Sequence, residues 1–208
     1  MVAGSILPVA FHNNQLYFLF GKENPLEDSH KGWSDFGGGV EHGETPYTTA
    51  IREGGEELTG FLGDDIKGFL KKGGIYKVVH NDYHVHIFLM KYDENLPLYY
   101  NNNHSFLWKR MDRQVLNKTK LFEKIEIGWF SEESMRTQRN EFREFYREIV
   151  DKIMDKIPQI EKKMRPKIHK IENPKSKSKS KPKSKSNPKS KSNPKYIRNR
   201  TYKMKGGK

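Results

Sequence analysis

The chain contains no cysteine. That absence excludes disulfides, thiolate metal sites and cysteine nucleophiles. It also fits a reducing compartment, and a cytoplasmic protein is the expectation. No apolar run approaches the ~18–20 residues that span a bilayer, so no membrane association is expected. The first residues, MVAGSILPVAFHNN, lack a basic leader and read as a strand rather than a signal peptide. Hydrophobic residues are scarce, at 34%, against about 45–50% in an ordinary globular chain. The shortage is local. Residues 173–208 hold fourteen of the 39 Lys and Arg and none of the 26 Asp and Glu. The remainder is close to neutral, so the formal charge of +13 describes a tail.

The sequence therefore divides into a domain, residues 1–160, and a Lys/Ser/Pro-rich basic tail, residues 161–208. The repeats of KSKS and SNPK have almost nothing to bury, which predicts disorder. Within the domain, SILPVAF and LYFLFG flank the polar HNNQ and predict a hairpin. A short strand is expected around Trp33–Phe36. Thr45 offers a helix N-cap and Pro46 suits the first helical position, predicting a helix from Pro46 to about Thr59 that stops at Gly60. GGIYKVVH and YHVHIFLMKY read as strands around a His80–Asn81–Asp82 turn. After the polar ENLPLYYNNN, a helix is expected with Phe106, Leu107, Met111, Val115 and Leu116 on one side. KIEIGWF reads as a strand. Ser131 caps a last helix whose stripe comprises Phe142, Phe145, Tyr146, Ile149, Val150, Ile153, Met154 and Ile157, ending at Pro158.

The chemistry concentrates in GGGVEHGETPYTTAIREGGEE, residues 37–57. On a helix Glu53, Glu56 and Glu57 share one face and repel one another. A solvated acidic face would explain three carboxylates. It does not explain Gly54 and Gly55, each of which costs about 0.8–1 kcal/mol relative to Ala in an exposed helix. A hard cation such as Mg²⁺, which takes oxygen ligands and retains waters and substrate phosphates, would cancel the repulsion.

Gly38, Glu44 and Arg52-Glu53-Gly54-Gly55-Glu56-Glu57 resemble the Nudix box, G-x5-E-x7-R-E-U-x-E-E-x-G-U, where U is aliphatic. Six fixed positions match by chance on the order of 10⁻⁷ per start. GWSDFGGGVEHGE and EIGWFSEESM resemble the family's flanking segments, and the likeness covers roughly residues 3–157. There are departures. Gly54 stands where an aliphatic residue is usual, Phe36 where many members have proline, and one extra residue precedes Gly60. The first and third are expected to weaken packing around the box.

The resemblance implies an α/β/α sandwich with a mixed, curved sheet. It implies hydrolysis of a nucleoside diphosphate linked to another moiety, dependent on Mg²⁺ or Mn²⁺. By position Glu53 and Glu57 would bind metal directly, Glu56 a second ion or a metal-held water, and the Gly38 carbonyl would add a ligand. Glu44 and Arg52 would form a bracing ion pair. Glu56, Glu126 and Glu123 are the candidates for general base, the last two also readable as ordinary strand residues. An RNA cap is the leading substrate; a diphosphoinositol or nucleotide-sugar is the alternative, and a non-catalytic nucleotide- or RNA-binding module is the rival class.

The other features are less specific. His80, His84 and His86 could hold zinc, although strand histidines are more often plain surface or core groups. Trp33 and Trp129 read as core residues, while Trp108, Tyr99 and Tyr100 could stack on a base. The tail would attract polyanions, RNA first among them, through counterion release; solubility or a nuclear address are the bland alternatives. Its Lys-rich composition, ending in KMKGGK, resembles tails on proteins of large DNA viruses. Oligomeric state is not legible in the sequence.

Overall fold

The computed structural model describes residues 1–24, 31–62, 66–112, 114–115 and 123–168. The expected tail beyond 168, and Leu116, lie outside the described residues. The predicted hairpin forms from β1 (Ala3–His12) and β2 (Gln15–Glu23). Asn13 and Asn14 turn it with positive φ, a conformation asparagine tolerates better than most side chains. Next come β3 (Trp33–Ser34), β4 (Phe36–Gly39), α1 (Pro46–Glu57), α2 (Ile66–Gly73), β5 (Ile75–His80), β6 (Tyr83–Leu89) and α3 (Leu96–Trp108). The series continues with β7 (Lys124–Phe130), α4 (Glu132–Thr137), α5 (Arg147–Asp155) and α6 (Ile157–Met164).

These strands form one open, mixed sheet in the order β3-β2-β1-β6-β5. β1 pairs in parallel with β6 along one edge. Its other edge is shared, the first half with β4 and the second with β2. β7 joins β2 antiparallel. Because side chains alternate across a strand, β1 sends Ile6 to one face and Leu7 and Val9 to the other. The Ile6 face is covered by α1, α2 and α3 through Ala50, Leu58, Ile66, Leu70 and Tyr100. The Leu7 face is covered by α5 and α6 through Ile149, Val150, Ile153, Ile160 and Met164. This is the expected α/β/α sandwich, with the box helix α1 on the Ile6 side.

Several expectations change. α2 was not foreseen; its turn-and-a-half of apolar residues is too short to show a clear period. The stretch called polar begins α3, because Pro97 suits a first helical turn. The long last helix is broken into α4, two short 3-10 turns and α5. The break has a local cause. Phe142 bridges to Trp33, and the Arg143 N–H donates to the Trp33 carbonyl (3.0 Å), so this segment is held extended against β3. Phe145 consequently leaves the stripe and is 45% exposed. Pro158 does not end the helical run but sits in the first turn of α6. Ile160 and Met164 of α6 are buried, so the folded part continues past residue 160.

Candidate active site

α1 begins on a reciprocal cap. The Thr48 N–H donates to Thr45 Oγ1 (3.2 Å) and the Thr45 N–H to Thr48 Oγ1 (2.8 Å). The helix then lies unusually close to β1. A Cβ on Gly4 would overlap the Pro46 carbonyl, and one on Gly54 would overlap the Ile6 side chain. The missing aliphatic residue of the box is thus not a packing defect. Gly54 lets helix and strand approach until Ile6 fills the space an aliphatic side chain would take. Gly55 has no such neighbour, its nearest being Ile66 Cδ1 at 3.9 Å. At the exit, Leu58 caps the helix and Thr59 and Gly60 both take positive φ, 48° and 68°. A left-handed turn spread over two residues accommodates the extra residue after Glu57, with a β-branched side chain in a conformation it rarely adopts.

On the open face of α1, Arg52 gathers the carboxylates. Its Nε donates to Glu44 Oε1 (2.9 Å) and Nη2 to Glu44 Oε2 (3.1 Å), the paired geometry guanidinium and carboxylate favour. Nη1 donates to Glu53 (2.8 Å) and Glu56 (3.3 Å), and Glu41 stands 3.7 Å away. Glu44 also accepts from Thr49 Oγ1 (2.6 Å). The Arg52 and Thr49 hydrogen bonds hold the Glu44 carboxyl down to about 2. One guanidinium thus serves four carboxylates. Gly38 is needed here because a Cβ would overlap the Glu53 carboxylate.

The inner face differs. Glu57 is 5% exposed, and its Oε2 accepts from the Gly37 N–H (2.8 Å). Its Oε1 lies 3.2 Å from the ammonium of Lys124, which is also buried. Lys124 contacts Glu23 and donates to Ser34 Oγ (2.9 Å), and Glu23 receives Arg143 Nη1 (2.5 Å). Burial raises the Glu57 carboxyl to about 8; Lys124 opposes this, but Glu23 and Glu123 add like charge. Burial works against the Lys124 charge, yet Glu57 and Glu23 outweigh it and raise its pKa. The sequence gave no sign of Lys124. The strand pairing slips between Lys22 and Glu23, leaving Ile125 unmatched, and such a bulge re-aims its neighbours. Lys124 therefore turns to the α1 side, although alternation alone would place it with Glu126.

The structure brings Gly38, Glu44, Arg52, Glu53, Glu56 and Glu57 together. It does not bring Glu126. That residue pairs with Lys22 (3.7 Å), whose ammonium lies over the Trp33 ring. Since Ile127 faces α1, Glu126 faces the opposite side of the sheet. Glu123 is nearer in effect, because its charge acts on Glu57. Tyr100 is fully buried, edge-on to Phe61 and stacked on His104; its hydroxyl donates to the Glu57 carbonyl (3.0 Å) and the Lys124 carbonyl (3.1 Å). It braces the box helix and has no face left for a base, whereas Tyr99 is 60% exposed. Trp33 is buried as expected. Among the histidines, His80 pairs with Glu148 (3.0 Å) and His86 Nδ1 meets the Ser5 carbonyl (3.1 Å).

Among the described residues no three His, Asp or Glu side chains converge as a ready metal site, which applies to the histidines and to the box alike. The donor chemistry nevertheless fits a hard dication. Every candidate ligand is an oxygen, and the single charge of Arg52 leaves the four carboxylates around it with an excess of negative charge.

A profile of the NUDIX domain matches residues 5–153. The chain belongs to the Nudix family, and with every box carboxylate present it is a hydrolase acting on phosphoanhydride bonds. No curated protein matches it. Among solved structures, a Caenorhabditis elegans Ap4A hydrolase complex is 13% identical, over 65% of this chain and 83% of that one, with a TM-score of 0.39. A mutT/nudix family protein from Listeria innocua is 15% identical over 76% and 94%, TM-score 0.41. The NUDIX domain of Shewanella oneidensis NrtR, complexed with ADP ribose, is 10% identical over 76% and 88%, TM-score 0.44. Similarity at this level says nothing about the substrate.

Proposed function

We propose that the protein hydrolyses a nucleoside diphosphate linked to another moiety, in a reaction dependent on Mg²⁺ or Mn²⁺, with an RNA cap as the leading substrate. The observation that carries this reading is the concentration of four carboxylates around one guanidinium beside the Gly38 backbone. Glu53, Glu56 and Glu57, with the Gly38 carbonyl, are the groups that would hold the cation. When bound, a divalent ion lowers the pKa of water and offsets the charge of the diphosphate. The chain's own part is positional. Arg52 and Glu44 brace the loop against α1, and Lys124 with the Gly37 N–H fixes the Glu57 carboxylate. Glu56, the most open of the box carboxylates with 62% of its side chain exposed, accepts a proton from the attacking water; Glu123 is the alternative base.

The basic residues of 173–208 are proposed to hold RNA near the site by counterion release. The test is a screen of capped RNA, ADP-ribose, dinucleoside polyphosphates and diphosphoinositols with Mg²⁺ or Mn²⁺, run with Glu→Gln changes at 53, 56, 57 and 123. Release of a nucleoside diphosphate from capped RNA is expected. Turnover at the wild-type rate by Glu57→Gln would remove the metal assignment. Deleting residues 169–208 is expected to weaken RNA binding at low salt while leaving small-nucleotide hydrolysis intact.

A further inference from the structure

The box chemistry leaves one sizeable cavity unused. It has a volume of about 710 Å³, within the range of about 300–1,000 Å³ typical of small-molecule sites. It lies where the chain leaves β6 and enters α3, at Met90–Leu96, and is closed by Phe61 after α1 and Phe69 on α2. Phe61, Phe69 and Tyr92 line it, and all three are half-buried. Each is packed against a neighbour: Phe61 edge-on to Tyr100 (5.3 Å between centroids), Phe69 against Phe88 (6.5 Å), and Tyr92 stacked on His12 (4.3 Å, 20° between planes). Three rings therefore contribute aromatic surface to one concavity, a costly exposure unless something planar covers it.

The rim sets the charge of what could enter. Lys91, Asp93 and Glu94 line the cavity and are exposed, so the acidic groups outnumber the basic one. Phosphate groups are disfavoured there, whereas a ring bearing positive charge gains from both the carboxylates and the aromatic faces. Glu94 is close enough to act on Tyr92: burial, then Tyr17, then the Glu94 charge raise the Tyr92 pKa. The cavity is also tied to the box. Phe61 packs on Tyr100, whose hydroxyl bonds to the Glu57 carbonyl. One side chain links the aromatic wall to the end of the box helix.

We propose that this cavity is the subsite for the planar base of the nucleotide substrate, and that it favours a positively charged ring such as a 7-methylated purine. The proposal deepens the nucleotide-hydrolase reading and rests on it. It is tested on the full chain in EDTA, without turnover, by calorimetric titration with 7-methyl-GMP and GMP. 7-methyl-GMP is expected to bind at least ~5-fold more tightly than GMP, the scale of a cation–π contact of about 1 kcal/mol. Tyr92→Ala should weaken both by about 5-fold or more, since stacking contributes roughly 1–3 kcal/mol per base. Glu94→Gln, an exposed change that leaves the fold alone, should narrow the difference between the two ligands.

Equal binding of the two nucleotides by the wild type would overturn the preference for charge. Binding unaffected by Tyr92→Ala, or no binding by a folded wild type, would overturn the subsite. The two readings fail separately. Metal-dependent hydrolysis of nucleotides whose KM ignores Tyr92→Ala sinks the subsite alone. Base binding with no hydrolysis of any nucleotide sinks the proposed reaction alone.

Discussion

The two faces of α1 carry the same side chain under opposite rules. On the open face, Glu53 and Glu56 share Arg52 with Glu44 and Glu41, in contact with water. On the inner face, one turn or less away, Glu57 shares Lys124 with Glu23 and has almost no water. Pairing dominates outside, so the Glu44 carboxyl falls to about 2. Desolvation dominates inside, so Glu57 rises to about 8 although its cation is nearby. The glycines follow the same division, with Gly54 against Ile6 and Gly55 open. A helix of this kind can present charge to a ligand on one side because the other side fixes it to the sheet.

The largest test of this contrast is Lys124→Met. Removing the cation leaves two buried carboxylates uncompensated, and breaking such a pair costs about 3–5 kcal/mol. A urea titration should show that loss; a midpoint close to wild type would mean that water reaches Glu57 freely. Asp35 extends the comparison to a buried carboxylate without a contacting cation. Burial raises it to about 6 against hydrogen bonds from Ser5 and Tyr83. An acid raised on folding contributes stability that is fully present below its unfolded pKa and is lost as pH rises through the folded value. Relative to Asp35→Asn, the wild type should therefore gain stability as pH falls from about 7 to about 4, by roughly 3 kcal/mol. Parallel pH profiles of the two melting temperatures would contradict this.

Gly54→Leu restores the usual aliphatic residue of the box but forces it into Ile6. Overpacking should cost about 1–3 kcal/mol, and a neutral result would show that α1 can lift from β1. Gly55→Ala is the smallest change and has the opposite sign. It should stabilise by about 0.8–1 kcal/mol, because the new methyl meets only open space and Ile66. A loss there would mean that Gly55 serves a ligand rather than the fold.

Much of this was legible before any coordinates. The hairpin, the cap at Thr45, the strands at 75–80 and 83–89 and the acidic helix follow from local patterns. The last helix was misread because its spacing is helical throughout, while a pairing to Trp33, more than a hundred residues earlier, pulls Phe142 out of it. Glu126 looked like a candidate base because the sequence does not state which way a strand residue faces once a bulge intervenes. Lys124 was invisible for the same reason: an isolated lysine in a strand reads as solvent-exposed. Tyr100 and Tyr99 are adjacent letters of one composition, and only the fold separates a buried brace from an exposed ring.

By itself the sequence determined the family and the spacing of the box, because glycines, carboxylates and one arginine at set intervals fix which groups share a helical face. It also placed the charge asymmetry, which is a matter of counting. The tertiary structure alone decided which carboxylate is buried, which is open, and where aromatic surface is left uncovered. Those outcomes depend on desolvation and on contacts between distant segments, and neither is encoded in any short stretch of chain.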